Sequence, residues 1–174
     1  MTEDGGDSRA FEALYTGLFP LVIRTVYLVT LDRDIAQEIT HEAFLRLWQH
    51  RDRLGDHANE KAWLMRVAIN LALDHRRSLL TAFRHRQVET PILDPATTAV
   101  DRLEREEMRR ALKRLPRRDR AVLVLRFEQG LSFPEIGQIV GHPEPTVKTW
   151  VHRALDRLQR EIGGRATPAL EESR

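Results

Sequence analysis

Apolar residues recur three and four positions apart through most of this 174-residue chain, while alternating β-branched runs are scarce. That spacing is the period of an amphipathic α-helix, so the chain is expected to be all-α. Glycine and proline mark the joints between the periodic stretches. With 41% hydrophobic and 31% charged residues there is apolar material for a core, and the length fits one domain or two small ones. Composition does not choose between them.

Phe11, Leu14, Leu18, Val22 and Val26 share one helical face, and Pro20 either kinks that segment or starts a second helix. Asp32 or Asp34 is placed to cap the next helix, in which Ala36, Ile39, Ala43, Phe44, Leu47 and Trp48 form an apolar stripe. Gly55 to Asn59 reads as a loop. From about Glu60 to Leu80 a further helix carries Leu64, Val67, Ala68, Leu71 and His75 on one side. On its other side Arg66, Asn70, Asp74 and Arg77 align as a polar stripe three turns long. Asparagine is an indifferent helix former, so Asn70 in the helix interior calls for solvent exposure or a function.

Periodicity lapses between Thr81 and about Val100, where Pro91, Pro95 and Thr97-Thr98 read as a flexible linker. The charge distribution changes across it. Residues 1–80 hold 10 basic and 12 acidic side chains, whereas 102–160 hold 14 basic and 8 acidic, so the positive field lies in the second half. There is no Cys, which excludes a disulfide scaffold, a thiolate zinc site and a Cys nucleophile. The acidic, polar start lacks the pattern of a secretory signal, and no apolar run is read as long enough to span a bilayer. A cytoplasmic protein without membrane insertion is expected.

Beyond the linker, Leu103 to Leu115 is expected as a charged helix ended by Pro116, and Asp119 to Gln129 as a second, with Ala121, Val122 and Leu125 inward and Gly130 closing it. Residues 131–158, LSFPEIGQIVGHPEPTVKTWVHRALDRL, have the pattern of a helix-turn-helix. Ser132 with Glu135 three residues on makes a capping box, and Pro134 suits an early helical position. Ile136 and Val140 point inward, Gly137 lets two helices approach, Gly141 permits a left-handed turn, and Pro145 suits the start of the second helix. There Val147, Val151, Ala154, Leu155, Leu158 and Ile162 form the buried stripe. Lys148, Thr149, His152, Arg153 and Arg157 remain outside, a basic face suited to a major groove.

The segment ALKRLPRRDRAVLVLRFEQGLSFPEIGQIVGHPEPTVKTWVHRALDRL resembles region 4 of the bacterial extracytoplasmic-function (ECF) RNA polymerase sigma factors. DIAQEITHEAFLRLW resembles their region 2.2, and AWLMRVAINLALDHRR their regions 2.3 to 2.4. The resemblance covers most of residues 11–162 in the family's order. It implies two small helical domains, region 2 at 10–80 and region 4 at 101–162, with a linker at 81–100 and a short polar tail at 163–174.

It also implies partners and sites. Glu38, Glu42, Phe44, Leu47 and Trp48 would dock on the clamp of the largest subunit of core RNA polymerase, and region 4 would meet the flap. Trp63, Arg66, Asn70, Asp74 and Arg77 would recognise and melt the −10 element, where holding an unstacked base offsets the cost of opening the duplex. Trp63 serves either the core or a stacking surface. Arg117, Arg118, Thr146, Lys148, Thr149, Trp150 and Arg153 would contact the −35 element, the first two through phosphates. Double- and single-stranded promoter DNA and an anti-sigma factor are the other implied partners; no cofactor or metal is implied.

The chain departs from the family pattern in several places. His41 stands where glutamine is common, Gln37 where an acid is, Pro145 where glycine is, and Trp150 where arginine is. An indole has one donor and cannot make arginine's bidentate guanine contact, so Trp150 bears directly on −35 specificity. Among rival functions, an enzyme lacks a signature: His41-Glu42 opens like HExxH but its fifth residue is Leu45, and no phosphate loop or nucleophile elbow is present. A stand-alone DNA-binding regulator is the closer rival. Against it stands the first half, whose helix of acidic and aromatic residues suits a protein partner.

Overall fold

The computed structural model describes the backbone of residues 4–54, 57–75 and 99–163, and the side chains of 8–51, 60–75 and 104–163. All the regular structure described is helical. Three helices form the first unit: α1 (Asp4–Thr30), α2 (Arg33–Leu54) and α3 (His57–Asp74). Residues 81–98 of the expected linker lie outside the described residues, as do Arg77 and the tail from 164, while Ala99 and Val100 already belong to the helix that follows.

One helix runs through Pro20, so no second helix starts there. Leu14, Leu18, Val22, Val26 and Val29 stay in phase across it, and packing that continuous face outweighs the hydrogen bond proline cannot make. By length and composition Ser8–Thr30, 23 residues with mean hydropathy 1.4, does reach the dimensions of a membrane span, which corrects the expectation of no such run. In the fold Val22, Val26 and Val29 of this helix are core residues.

Thr30 and Leu31 end α1. Leu31 adopts a left-handed φ of 56° and returns its N–H to the Tyr27 carbonyl. Asp32 is the cap of α2, its Oδ1 accepting the Ile35 N–H at 3.1 Å, and Asp34 sits in the first turn. Between α1 and α2 the rings of Phe11, Tyr15, Phe19, Phe44 and Trp48 interlock, with centroids 4.7 to 6.5 Å apart. The buried face of α3 is Leu64, Met65, Ala68, Ile69 and Ala72. It is rotated from the expected one, with Val67, Leu71 and His75 only half-buried at its margin.

The second unit comprises α4 (Ala99–Arg114), α5 (Arg117–Leu123), a π-helical turn (Val124–Glu128), α6 (Phe133–Val140) and α7 (Glu144–Gly163). Ala121 through Leu125 are five consecutive buried residues. A segment wedged between α1 on one side and α7 on the other has no solvent face there. The chain widens into a π turn, in which the Gln129 N–H reaches the Val124 carbonyl at 3.0 Å, and Gly130 closes it with φ 67°.

The two units share a continuous core, and polar contacts cross between them. Arg120 donates to the carbonyls of Val29, at the end of α1, and of Leu112 and Leu115, at the end of α4, at 2.7, 3.2 and 3.1 Å. Arg117 donates to the carbonyls of Ala72 and His75 at the end of α3. The last carbonyls of a helix have no partner within it and carry the negative end of its dipole, so each arginine caps a helix of the first unit. Gln129 donates to Thr25 Oγ1 at 3.0 Å, and Arg24 pairs with Glu128 at 2.7 Å.

Candidate nucleic-acid interface

The helix-turn-helix forms as its local chemistry dictates. Ser132 caps α6: its hydroxyl accepts the Glu135 N–H, while the Glu135 carboxylate accepts from the Ser132 N–H at 2.7 Å and its hydroxyl at 2.6 Å. These bonds hold the Glu135 carboxyl below its ordinary range. Gly141 ends α6 with φ 72°, a left-handed conformation that favours glycine. A Cβ on Gly137 would stand 2.5 Å from the His142 carbonyl oxygen, so the close approach it permits is to the backbone of the turn. Ile136 and Ile139 are buried, while Val140 is half-buried.

In α7, Val147, Val151 and Ala154 face the core and Leu155 and Leu158 lie at its margin. Ile162 does not continue the stripe: it is 45% exposed, one turn beyond the last core contact. Lys148, Thr149, His152 and Arg153 form the exposed face, with Thr146 half-buried at its start. Thr149 Oγ1 donates to the Pro145 carbonyl at 2.9 Å. Arg157, expected on that basic face, is instead paired with Asp119, a carboxylate only 3% exposed in the first turn of α5. Its charge is neutralised there.

Arg117 and Arg118, adjacent in sequence, separate in role. Arg117, expected at a phosphate, is held in this arrangement on the end of α3, where its Nη1 donates to backbone carbonyls. Arg118 is exposed, with its guanidinium over the Trp150 ring at 4.4 Å. Trp150 is half-buried, with the His142 ring 4.5 Å away at 63°. The sequence gives no sign of this grouping, because it joins three segments through the fold.

On α3, Arg66, Asn70 and Asp74 are exposed along one line, as their spacing predicts. Trp63 is half-buried, its indole 5.6 Å from the His50 ring on α2. On α2, Glu38 is exposed, and Glu42 is half-buried and paired with Arg46 at 2.7 Å. Phe44 and Leu47 are 2% and 1% exposed, which corrects their assignment to a docking face: they are core residues packed on α1. Trp48 is half-buried, with Arg51 over its ring at 3.6 Å. The apolar residue that α2 does present is Leu45, 51% exposed, which the sequence reading passed over although it lies one and two turns beyond His41 and Glu38. Among the described residues no group of three or more His, Asp or Glu side chains is placed to hold a metal.

Residues 14–80 match the family Sigma-70 region 2, and residues 105–158 match Sigma-70, region 4. The ECF RNA polymerase sigma factor SigL of Mycobacterium tuberculosis is 33% identical over 169 residues, covering 90% of this chain and 93% of that protein. The chain belongs to the ECF RNA polymerase sigma factors. BldN of Streptomyces coelicolor, another ECF sigma factor, is 30% identical, and this chain spans 61% of its length. Among solved structures, the sigma factor RpoE of Bartonella quintana, determined with the anti-sigma factor NepR, superposes with a TM-score of 0.67 at 19% identity, covering 89% of this chain and 98% of that one. CnrH, determined with the cytosolic domain of CnrY, gives 0.65 at 21%, covering 92% of each. The fold is therefore that of sigma factors. Membership sets the function by class as promoter-specific initiation of transcription, with the α1–α3 unit matching region 2 from residue 14 and the helix-turn-helix within region 4.

Proposed function

We propose that this ECF sigma factor acts without catalytic chemistry of its own, docking on core RNA polymerase through α2 and engaging the two promoter elements through α3 and α7. The observation that carries this reading is the exposed line Arg66, Asn70 and Asp74 on a helix of region 2, in a chain whose region 4 presents a basic recognition helix. The α3 line would meet the −10 element, with Asn70 holding an unstacked base and Trp63 bracing the helix. Lys148, Thr149 and Arg153, with Thr146, would lie in the major groove of the −35 element. Glu38, Glu42 and Leu45 form the face offered to the polymerase clamp, and region 4 meets the flap. Family membership also supports an anti-sigma factor as a regulatory partner and the cytoplasm as the site of action.

Gel filtration with core RNA polymerase in the absence of DNA, followed by run-off transcription, tests the reading. Co-elution and promoter-dependent transcripts are expected. A folded, inhibitor-free chain that separates cleanly from active core, yet still binds duplex DNA, would be a stand-alone regulator instead.

A further inference from the structure

We propose that Trp150 is a positioning residue of region 4: its indole, braced by His142, holds Arg118 as a preformed clamp for a DNA phosphate beside the recognition helix. The inference rests on the reading of α7 as the −35 recognition helix. Trp150 occupies the flank of α7, between the buried Val147 and Val151 and the exposed Lys148, Thr149 and Arg153. The side chains of three segments meet there: Arg118 from the first turn of α5, with its guanidinium carbon 4.4 Å from the indole centroid, His142 from the turn at 4.5 Å, and Trp150 itself.

The chemistry of each group assigns its part. An indole carries no charge and one donor, so it cannot neutralise a phosphate or make a bidentate contact with guanine. Arg118 can do the former. It is exposed and makes no ion pair among the described residues, unlike Arg117, Arg120 and Arg157, whose donors face carbonyls or a carboxylate. A guanidinium held over an aromatic ring keeps its charge and its in-plane N–H donors. It also loses less side-chain freedom on meeting an anion than a solvated arginine would. The ligand is then the phosphodiester backbone, which such a group contacts whatever the base sequence.

The test uses holoenzyme assembled from the full chain and core polymerase, with affinity for linear promoter duplexes measured against salt for R118A, W150A, W150F and the R118A/W150A double variant. R118A should lower the slope of log K against log salt by about one and weaken every −35 sequence variant by the same factor. W150A should reproduce most of that loss, W150F should restore much of it, and the double variant should be no weaker than R118A. Full additivity of the two losses, or a changed ranking of −35 bases in W150A, overturns the proposal in favour of direct base reading by Trp150. In the free chain, without polymerase or DNA, the Arg118 side-chain protons should carry an upfield ring-current shift that W150A abolishes, and its absence overturns the clamp by itself. A wild-type chain that shows the shift but never joins core polymerase overturns the sigma reading alone, and the clamp is then tested by the same variants on duplex DNA bound by the free chain.

Discussion

Gly137 is where a single missing carbon decides the geometry of region 4. Its absent Cβ leaves room for the His142 carbonyl at 2.5 Å, and backbone cannot swing aside as a flexible side chain can. Gly137→Ala is therefore expected to displace the turn, costing about 1–3 kcal/mol in urea denaturation, the range for overpacking a filled site. It should also weaken −35 binding, because α7 is aimed by that turn. Asn70 makes the opposite case. It is exposed, so Asn70→Ala should leave stability within about 0.5 kcal/mol and core binding unchanged while slowing promoter opening, as permanganate reactivity of the melted strand would report. Equal loss of core binding and opening would remove Asn70 from the −10 site. The stripe containing Asn70 was legible because it depends only on helical spacing. That Arg157 is neutralised by Asp119 was not legible, since 38 residues separate the pair and only the fold joins them.

At the scale of elements, helix ends explain what could be read and what could not. The Ser132–Glu135 box, the Asp32 cap and the Gly141 turn use neighbours within a few residues, and each forms as its sequence predicts. The Leu31 turn has no glycine to announce it, and the π turn opens in a segment buried by elements distant in sequence. The same gap explains Phe44 and Leu47: an apolar stripe gives the buried face, and both belong to that stripe. The Glu135 box gives a pH dependence. Its carboxyl titrates lower folded than unfolded, so the cap's contribution is present above the unfolded value of 4.5 and is lost as pH falls through the folded one. Acid unfolding monitored by circular dichroism should begin at higher pH in Ser132→Ala than in the wild type. Arg120 caps helices across 91 residues of sequence, which no local rule detects. Burial, with Arg117 nearby, lowers its guanidinium to about 10, so it remains charged at neutral pH. Arg120→Ala would remove the side-chain donor to the Val29 and Leu115 carbonyls, while the Leu112 carbonyl keeps the Leu115 N–H, with an expected cost of about 3 kcal/mol in chemical denaturation.

At the scale of the molecule, those two capping arginines join the shared core in tying the two units together. They hold region 4 against the ends of α1 and α3, and a compact body built of the described residues has a radius of gyration of about 14 Å and so a diameter of roughly 37 Å. Promoter elements named for positions about 25 base pairs apart lie roughly 85 Å apart along B-form DNA, at 3.4 Å per base pair. A closed form of that size falls short of both elements on straight duplex, so productive binding is expected to require that the arginine caps be given up and the shared core part. Contacts with polymerase and promoter DNA would have to replace them in the holoenzyme. The absence of cysteine makes the change measurable, because Gln49→Cys in α2 and Gln159→Cys in α7 introduce the only thiols. A dye pair at those positions should show high energy transfer in the free chain and low transfer in the promoter-bound holoenzyme. Arg120→Ala should shift the free population toward low transfer, since it removes the cap that joins α1 to region 4. High transfer persisting on a promoter whose −10 and −35 elements are both protected from cleavage would mean that the DNA bends to a closed sigma factor, and the opening step would be wrong.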